Sequence, residues 1–227
     1  MKKNLVILTG AGMSAESGIK TFRDAGGLWE NYPVMDVASA DGFARNPALV
    51  HQFFNERRAQ LVKAKPNSGH EIIAGLEKDF NVTVITQNVD NLHERAGSTN
   101  VLHLHGELMK VRSLRDEDKL FTLTEDNLCT TPDTVMEGDH VRPHIVFFQE
   151  AVPMIEPAIE IVSKADILVV IGTSLNVYPA AGLLYYAPAG IPVYYIDPNP
   201  APTPEGVTVI RAGASEGLRK LTGILEP

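Results

Sequence analysis

Several short runs in this chain combine residue types that can bind or move charge. The first is Gly10-Ala11-Gly12-Met13-Ser14-Ala15, a G-x-G-x-x-A pattern directly after the apolar run Leu5–Leu8. Glycines at that spacing let main-chain N–H groups approach a pyrophosphate at a strand's carboxyl end. A tight glycine turn with no ligand has the same pattern. An ordinary dinucleotide fold would continue into a long crossover helix and a second strand ending in Asp or Glu. Here Glu16–Lys20 leave room for about one helical turn. Thr21–Trp29 then combine a guanidinium, aromatics and a glycine pair, as in a loop folded over a ligand. Arg23 can meet phosphate and Phe22 can shield a reactive ring, while Trp29 is expected to reach the core.

The second run, Gln87-Asn88-Val89-Asp90-Asn91-Leu92-His93, follows the apolar segment Val82–Thr86. Asn88 and Asp90 offer amide and carboxylate bonds to a flat polar ring or a ribose. One of them can instead cap a helix, and His93 is expected on that helix's face. The third run is Val101-Leu102-His103-Leu104-His105-Gly106, with two histidines on one face of a strand. Three readings stay open: a general base, a structural pair, or two metal ligands completed by His140 or His144. As a base, His105 is the better placed, at the strand's end before Gly106. A neutral imidazole is available at cellular pH. Gly172-Thr173-Ser174 and Asp197-Pro198-Asn199 close two further apolar runs, Ile167–Ile171 and Val193–Ile196. Each alone is an ordinary turn. Together the strand ends predict one extended nucleotide crevice.

Those runs must be positioned by strands. Leu5–Leu8, Val82–Thr86, Val101–Leu104, Ile145–Phe148, Ile167–Ile171 and Val193–Ile196 suit parallel strands buried on both faces. Helical patterns lie between several of them, over Pro47–Val62, Ser68–Lys78, Pro153–Ala165 and Ala214–Leu225. In the first, Val50, Phe53, Phe54, Leu61 and Val62 share a face, with Glu56, Arg57 and Arg58 elsewhere. The alternation predicts an α/β fold, an open doubly wound parallel sheet. Glu107–Val141 breaks it: polar, charged and weakly periodic, this segment predicts either short strands and turns or a mobile loop.

The chain has 227 residues, 20 Lys+Arg against 28 Asp+Glu, and a formal net charge of −8. That size fits one large α/β unit, and the acidic balance argues against a broad nucleic-acid surface. No stretch reaches the roughly 20 apolar residues needed to span a bilayer. Met1-Lys2-Lys3 before Leu5–Leu8 faintly imitates an export signal, but the run stops at Thr9 and is expected to be a buried strand. The one cysteine, Cys129, excludes an internal disulfide and a multi-cysteine zinc site. It fits a reducing, cytoplasmic setting. A monomer is the default expectation.

Taken together, Gly10–Arg23, Thr86–His93, His105-Gly106 and Gly172-Thr173-Ser174, in that order and spacing, resemble the sirtuin family of NAD-dependent protein lysine deacylases. The resemblance covers nearly the whole chain apart from Glu107–Val141. It implies a Rossmann-like large part, about 1–25, 68–106 and 143–227, and a smaller module formed by insertions, about 26–67 and 107–142. It implies NAD extended across the strand ends. Gly10, Ala11, Gly12 and Ser14 would hold the pyrophosphate region with Arg23. Gly172, Thr173, Ser174 and Asn199 would hold the adenosine half, with Gln87 and Ala214 completing the cofactor set. Asn88 and Asp90 would form the nicotinamide pocket, near Ile19 and Phe22, with Asn88 taking part in catalysis. His105 would be the base. The implied chemistry is attack by an acyl-lysine carbonyl oxygen as nicotinamide leaves, then proton uptake by His105, giving free lysine and O-acyl-ADP-ribose.

Three departures stand out against that family. Its usual zinc-binding cysteines are missing, so no stoichiometric zinc is expected. Phe54 stands where relatives that remove succinyl or malonyl groups carry the tyrosine of a Tyr-x-x-Arg motif, while Arg57 matches. The expectation is a mixed deacylase with weakened succinyl preference. A core aromatic and a solvated arginine are the alternative. Gln149 stands where the family usually has glycine, after the substrate-binding segment containing Val146 and Phe148. Two other activities remain as rivals, mono-ADP-ribosyl transfer to protein side chains and NAD or ADP-ribose binding without catalysis.

Overall fold

The computed structural model describes residues 2–20, 28–29 and 32–225. Nineteen strands and α-helices can be named in chain order. They are β1 Asn4–Thr9, β2 Leu28–Trp29, β3 Tyr32–Pro33, α1 Val34–Val37, α2 Ala40–Arg45, α3 Pro47–Leu61 and α4 Ser68–Leu76. Next come β4 Asn81–Thr86, α5 Leu92–Ala96, β5 Val101–His103, β6 Gly106–Ser113, β7 Leu120–Thr122, β8 Val135–Met136 and β9 Asp139–Ile145. The remainder are α6 Ile155–Val162, β10 Ile167–Ile171, β11 Val193–Ile196, β12 Val207–Ile210 and α7 Ala214–Thr222.

The apolar runs build a six-stranded parallel sheet in the order β12-β11-β10-β1-β4-β5. Side chains alternate across it. Leu5 and Ile7 of β1 face one way, onto Ile73 of α4 and Leu218 and Leu221 of α7. Val6 and Leu8 face the other way, onto Ala158 and Val162 of α6 and Leu183. The chain leaves β1 toward β4 and later returns beside it as β10. The carboxyl ends of β1, β4 and β10 therefore border the point where strand order reverses, the place where open α/β sheets bind ligands.

The expected strand Ile145–Phe148 is a correction. Ile145 ends β9, which runs antiparallel to β6 in a separate four-stranded sheet, β7-β6-β9-β8. Residues 146–148 leave it and reach α2, where Phe148 N–H donates to Ala38 at 2.8 Å and Ala40 N–H donates to Phe148 at 3.1 Å. A short apolar run does not reveal which sheet receives it. The segment Glu107–Val141 takes the first of its two expected forms, short strands and turns. Buried Val111, Leu123 and Val141 give it a small core, backed by Phe121 and Met136.

A second correction concerns α3. Arg57 and Arg58 are not off the buried face: they are 9% and 0% exposed. Arg58 Nε donates to the Leu108 carbonyl at 2.9 Å, and Nη1 donates to Asn55 Oδ1 at 2.7 Å and the Leu128 carbonyl at 3.1 Å. Asn55 bonds both the N–H and the carbonyl of Thr130, at 3.0 and 2.9 Å. The helix thus grips the chain on both sides of exposed Cys129. Burial lowers the Arg58 pKa to about 10, which leaves it charged at neutral pH. Among the described residues, no group of three or more His, Cys, Asp and Glu is placed to hold a metal. Leaving a buried acceptor unsatisfied costs about 1–3 kcal/mol. Arg58→Met is therefore expected to lower unfolding free energy by about 3 kcal/mol in urea denaturation, whereas dialysis of the wild type against EDTA leaves the urea midpoint unchanged.

Candidate active site

At the end of β1 the chain passes through Gly10 and Gly12 against the turn at Gly172. Gly10 N–H donates to the Ile171 carbonyl at 2.9 Å and Gly12 N–H to the Gly172 carbonyl at 2.8 Å. A Cβ on Gly12 would lie 2.7 Å from Gly172 Cα, and one on Gly10 would lie 2.7 Å from Thr173 Cβ. Gly172 itself has φ +60. These glycines let two loops interleave. Their amides, expected to face phosphate, are engaged by neighbouring carbonyls, which corrects that part of the reading. Ala11–Met13 and Ala15–Ser17 form two short 3-10 turns, and half-buried Ile19 packs toward the cluster around Phe54. Phe22 and Arg23 lie outside the described residues.

Buried Ser14, Asn88 and Asp90 form one chain of bonds. Asn88 Nδ2 donates to Ser14 Oγ at 3.1 Å, and Ser14 Oγ donates to Asp90 Oδ2 at 2.8 Å. Asp90 Oδ1 accepts at 3.1 Å from the N–H of Leu92, the first residue of α5, but the N-cap of that helix is Asn91, neither Asn88 nor Asp90. Burial pushes the Asp90 carboxyl up, against the Ser14 and Leu92 bonds and the nearby charge of His103. Gln87 Nε2 donates to Thr173 Oγ1 at 3.1 Å, joining this loop to the Gly172 turn. Ser174 is half-buried and Asn199 exposed. Ala214 begins α7 with its side chain in the core.

His105 stands half-buried beside them. Its Nδ1 lies 3.0 Å from the Gln87 carbonyl. A carbonyl only accepts, so Nδ1 carries the proton and Nε2 keeps its lone pair. Burial lowers the His105 pKa, against the Gln87 bond, so the free base is the working form. Gly106 has φ +82, and a Cβ there would strike the His144 carbonyl. Val146 N–H donates to the His105 carbonyl at 3.0 Å. That bond carries residues 146–148 past the imidazole and leaves Phe148 exposed.

Gln149 keeps the left-handed backbone a glycine would adopt, φ +76. Its side chain donates to Asp41 Oδ2 at 2.7 Å and accepts from Asp41 N–H at 3.1 Å. Phe54 is fully buried, stacked on Phe147 with ring centroids 5.9 Å apart. The Arg57 guanidinium lies 4.5 Å from the Phe53 ring centroid and pairs with Glu56 at 3.3 Å. It is no solvated arginine.

Several supports of the site carry no clear mark in the sequence. Asn67, the N-cap of α4, donates to the Met13 carbonyl at 2.9 Å and Ser17 Oγ at 3.1 Å. Its capping partner is His70, whose Nδ1 accepts from Asn67 N–H at 3.2 Å. Asn-x-x-His is not the usual capping-box pattern, so the signal was faint. Glu16 Oε1 accepts from Ser215 N–H at 3.0 Å, tying the first loop to α7. His93 lies on α5, as expected, and its helix face is buried under the site. Its Nε2 lies 3.2 Å from Thr9 Oγ1, which donates to Thr86 Oγ1 at 2.8 Å.

The Sir2 family model matches residues 10–179. A protein named NAD-dependent protein deacylase from Bacteroides thetaiotaomicron is 59% identical over 99% of each chain. Another of that name, from Helicobacter pylori, is 50% identical over 96% of each. A Sir2 homologue solved with NAD superimposes with a TM-score of 0.85 at 36% identity, covering 99% of this chain and 91% of that one. A Sir2 structure with a deacetylated peptide and 3′-O-acetyl-ADP-ribose gives 0.82 at 32% identity, covering 98% and 94%. The chain belongs to the Sir2 family.

Burial holds His51 and His70 neutral, lowering their pKa from 6.5 to about 4, with the Arg58 and Arg142 charges adding to the effect at His51. His93 is lowered to about 3, by burial and then by the neighbouring His70 and His103. The unfolded chain binds protons at these sites below pH 6.5 that the folded chain refuses, so stability falls as pH drops from 6.5 toward 4. The urea midpoint should decline over that window, and less steeply in His93→Gln; an equal slope in the variant contradicts the assignment.

Proposed function

We propose that this protein removes acyl groups from protein lysines with NAD as co-substrate, releasing nicotinamide and O-acyl-ADP-ribose. The observation that carries the reading is His105, its Nδ1–H held by the Gln87 carbonyl and its Nε2 left as a neutral base at the sheet's carboxyl edge. The donor set fits NAD: hydroxyl, carboxamide and carboxylate groups at Ser14, Asn88 and Asp90 suit a carboxamide ring and ribose hydroxyls. When bound, NAD supplies a ribose carbon with nicotinamide as its leaving group.

The chain's own residues do the rest. Asn88 and Asp90 orient the nicotinamide end, near Ile19, and Ser14, bonded to both, reaches from there to the pyrophosphate. Gly172, Thr173, Ser174 and Asn199 line the adenosine end, with Gln87 joining the two. The segment holding Val146 and exposed Phe148, beside His105, receives the acyl-lysine peptide. His105 Nε2 accepts the proton that a ribose hydroxyl gives up. We place the reaction in the cytoplasm, in keeping with the free thiol of Cys129.

For the acyl group, we propose acetyl removal with weakened succinyl activity. Arg57 keeps the charge such a carboxylate needs. Phe54 brings no hydroxyl, and in this structure its ring belongs to the aromatic core. Phe54→Tyr is expected to raise succinyl relative to acetyl kcat/KM, and an unchanged ratio removes Phe54 from the specificity argument. The broader reading is tested by incubating the protein with NAD and acetyl-lysine peptide. Deacylated peptide and O-acetyl-ADP-ribose in equal amounts are expected, falling by at least about 100-fold in His105→Ala, the scale of general-base catalysis. ADP-ribosylated protein with intact acyl peptide would instead establish the transferase, and no nicotinamide release would leave a binding protein.

A further inference from the structure

His103, the other histidine of the strand, has a role in no step described so far. Its side chain is 7% exposed. Nδ1 lies 3.0 Å from the Asn88 carbonyl oxygen, and Nε2 lies 2.7 Å from Glu94 Oε1. A carbonyl and an ionised carboxylate both accept and neither donates. A neutral imidazole has one N–H and satisfies only one of them. The ring that satisfies both carries two protons and a positive charge.

The atom it grips is part of the site. Asn88 is fixed at three points: its N–H donates to Thr86 Oγ1 at 3.0 Å, its side chain donates to Ser14 Oγ, and its carbonyl is held by His103. Glu94 sits on α5, whose first N–H, that of Leu92, donates to Asp90. One imidazole therefore joins the Asn88 peptide to the helix that follows it.

We propose that His103 is a positioning residue: as an imidazolium it clamps the Asn88 peptide to Glu94, and when it loses a proton Asn88 slackens and NAD cleavage slows. The proposal rests on the deacylase reading for its effect on rate, though not for the protonation state of the ring. The charged and titratable groups around the ring are Glu94 and His93 on α5, Asp90 in the preceding loop, and Glu107 and Lys110 on β6. Burial lowers the His103 pKa. The Glu94 bond and charge, the Glu107 charge and the Asn88 bond together more than offset this, and the net shift is upward. Burial raises the Glu94 carboxyl, but the His103 bond and charge prevail and hold it low. The clamp is thus complete below the ordinary histidine value of 6.5 and is lost as pH rises through the raised value. His105 acts in the opposite sense, being useful only once deprotonated.

The test is the pH profile of kcat/KM for NAD, read as nicotinamide release with saturating acetyl-lysine peptide. The wild type should give a bell, rising as His105 deprotonates and falling as His103 does. Glu94→Gln keeps an acceptor but removes the charge. Its falling limb should move to lower pH by about 1–3 units, with the rising limb in place. His103→Gln should lose the falling limb and show reduced kcat/KM at neutral pH. A falling limb unmoved in Glu94→Gln, or retained in His103→Gln, overturns the proposal, as does its absence from the wild type. A second measurement needs no turnover: the ring nitrogens of His103, assigned by 15N NMR in the free wild-type protein, should both be protonated at pH 7. A neutral ring overturns the clamp. A protonated ring in a protein that releases no nicotinamide overturns the deacylase reading instead.

Discussion

Two neighbouring carbonyl groups, those of Gln87 and Asn88, each accept an imidazole N–H from the adjacent strand. Everything in the site depends on that pairing. It is set by register, since β5 runs parallel to β4 with His103 opposite Thr86. The histidines at 103 and 105 then meet the polar loop, while Leu104 between them is fully buried in the apolar layer. A slip of one residue would put leucine against the polar loop and histidine into the core. The same contact gives the two rings different duties. His105 bonds once, stays neutral and keeps a lone pair. His103 bonds at both nitrogens, which only the charged ring can do.

The rest of the fold keeps that contact in place. Gly10, Gly12 and Gly172 let two strand-end loops interlock at backbone distance. Gln87 joins the second of them through Thr173. Below lie Thr9, Thr86 and His93, linked by hydrogen bonds through the Thr9 hydroxyl. To one side, the antiparallel sheet of β6 to β9 feeds residues 146–148 toward His105. Arg58 and Asn55 tie it to α3 by bonding Leu108 and the chain around Cys129. Ordinary side-chain hydrogen bonds here do the work of a cross-link between α3 and a polar segment with a small core of its own.

Much of this was legible in the sequence, for physical reasons. Five of the six proposed strands of the parallel sheet are there, because strands buried on both faces must be apolar throughout. The polar runs lie at their ends because ligands sit there. The failures share a cause. Ile145–Phe148 is as apolar as a sheet strand, yet its neighbours decide where it pairs. Strand β12, Val207–Ile210, is not evident in the sequence because it lies at an edge with Thr208 and Val209 exposed. Arg57 and Arg58 were set apart from the buried face because charge usually means solvent. Arg58 is buried because carbonyl oxygens far away in sequence await it. The roles of Asn67, Glu16 and Glu94 depend on partners that spacing does not reveal. The glycines were correctly marked as points of close approach, but what approaches Gly12 most closely is Gly172.

The Gln87 carbonyl fixes His105 with Nε2 bare, ready to take a proton. The tautomer of His105 in the free protein at pH 8, read from its ring 15N shifts, tests this directly. A proton on Nδ1 and none on Nε2 is expected, with Nε2 alone gaining one as pH falls. A ring protonated at Nε2, with Nδ1 bare toward the carbonyl, would contradict it.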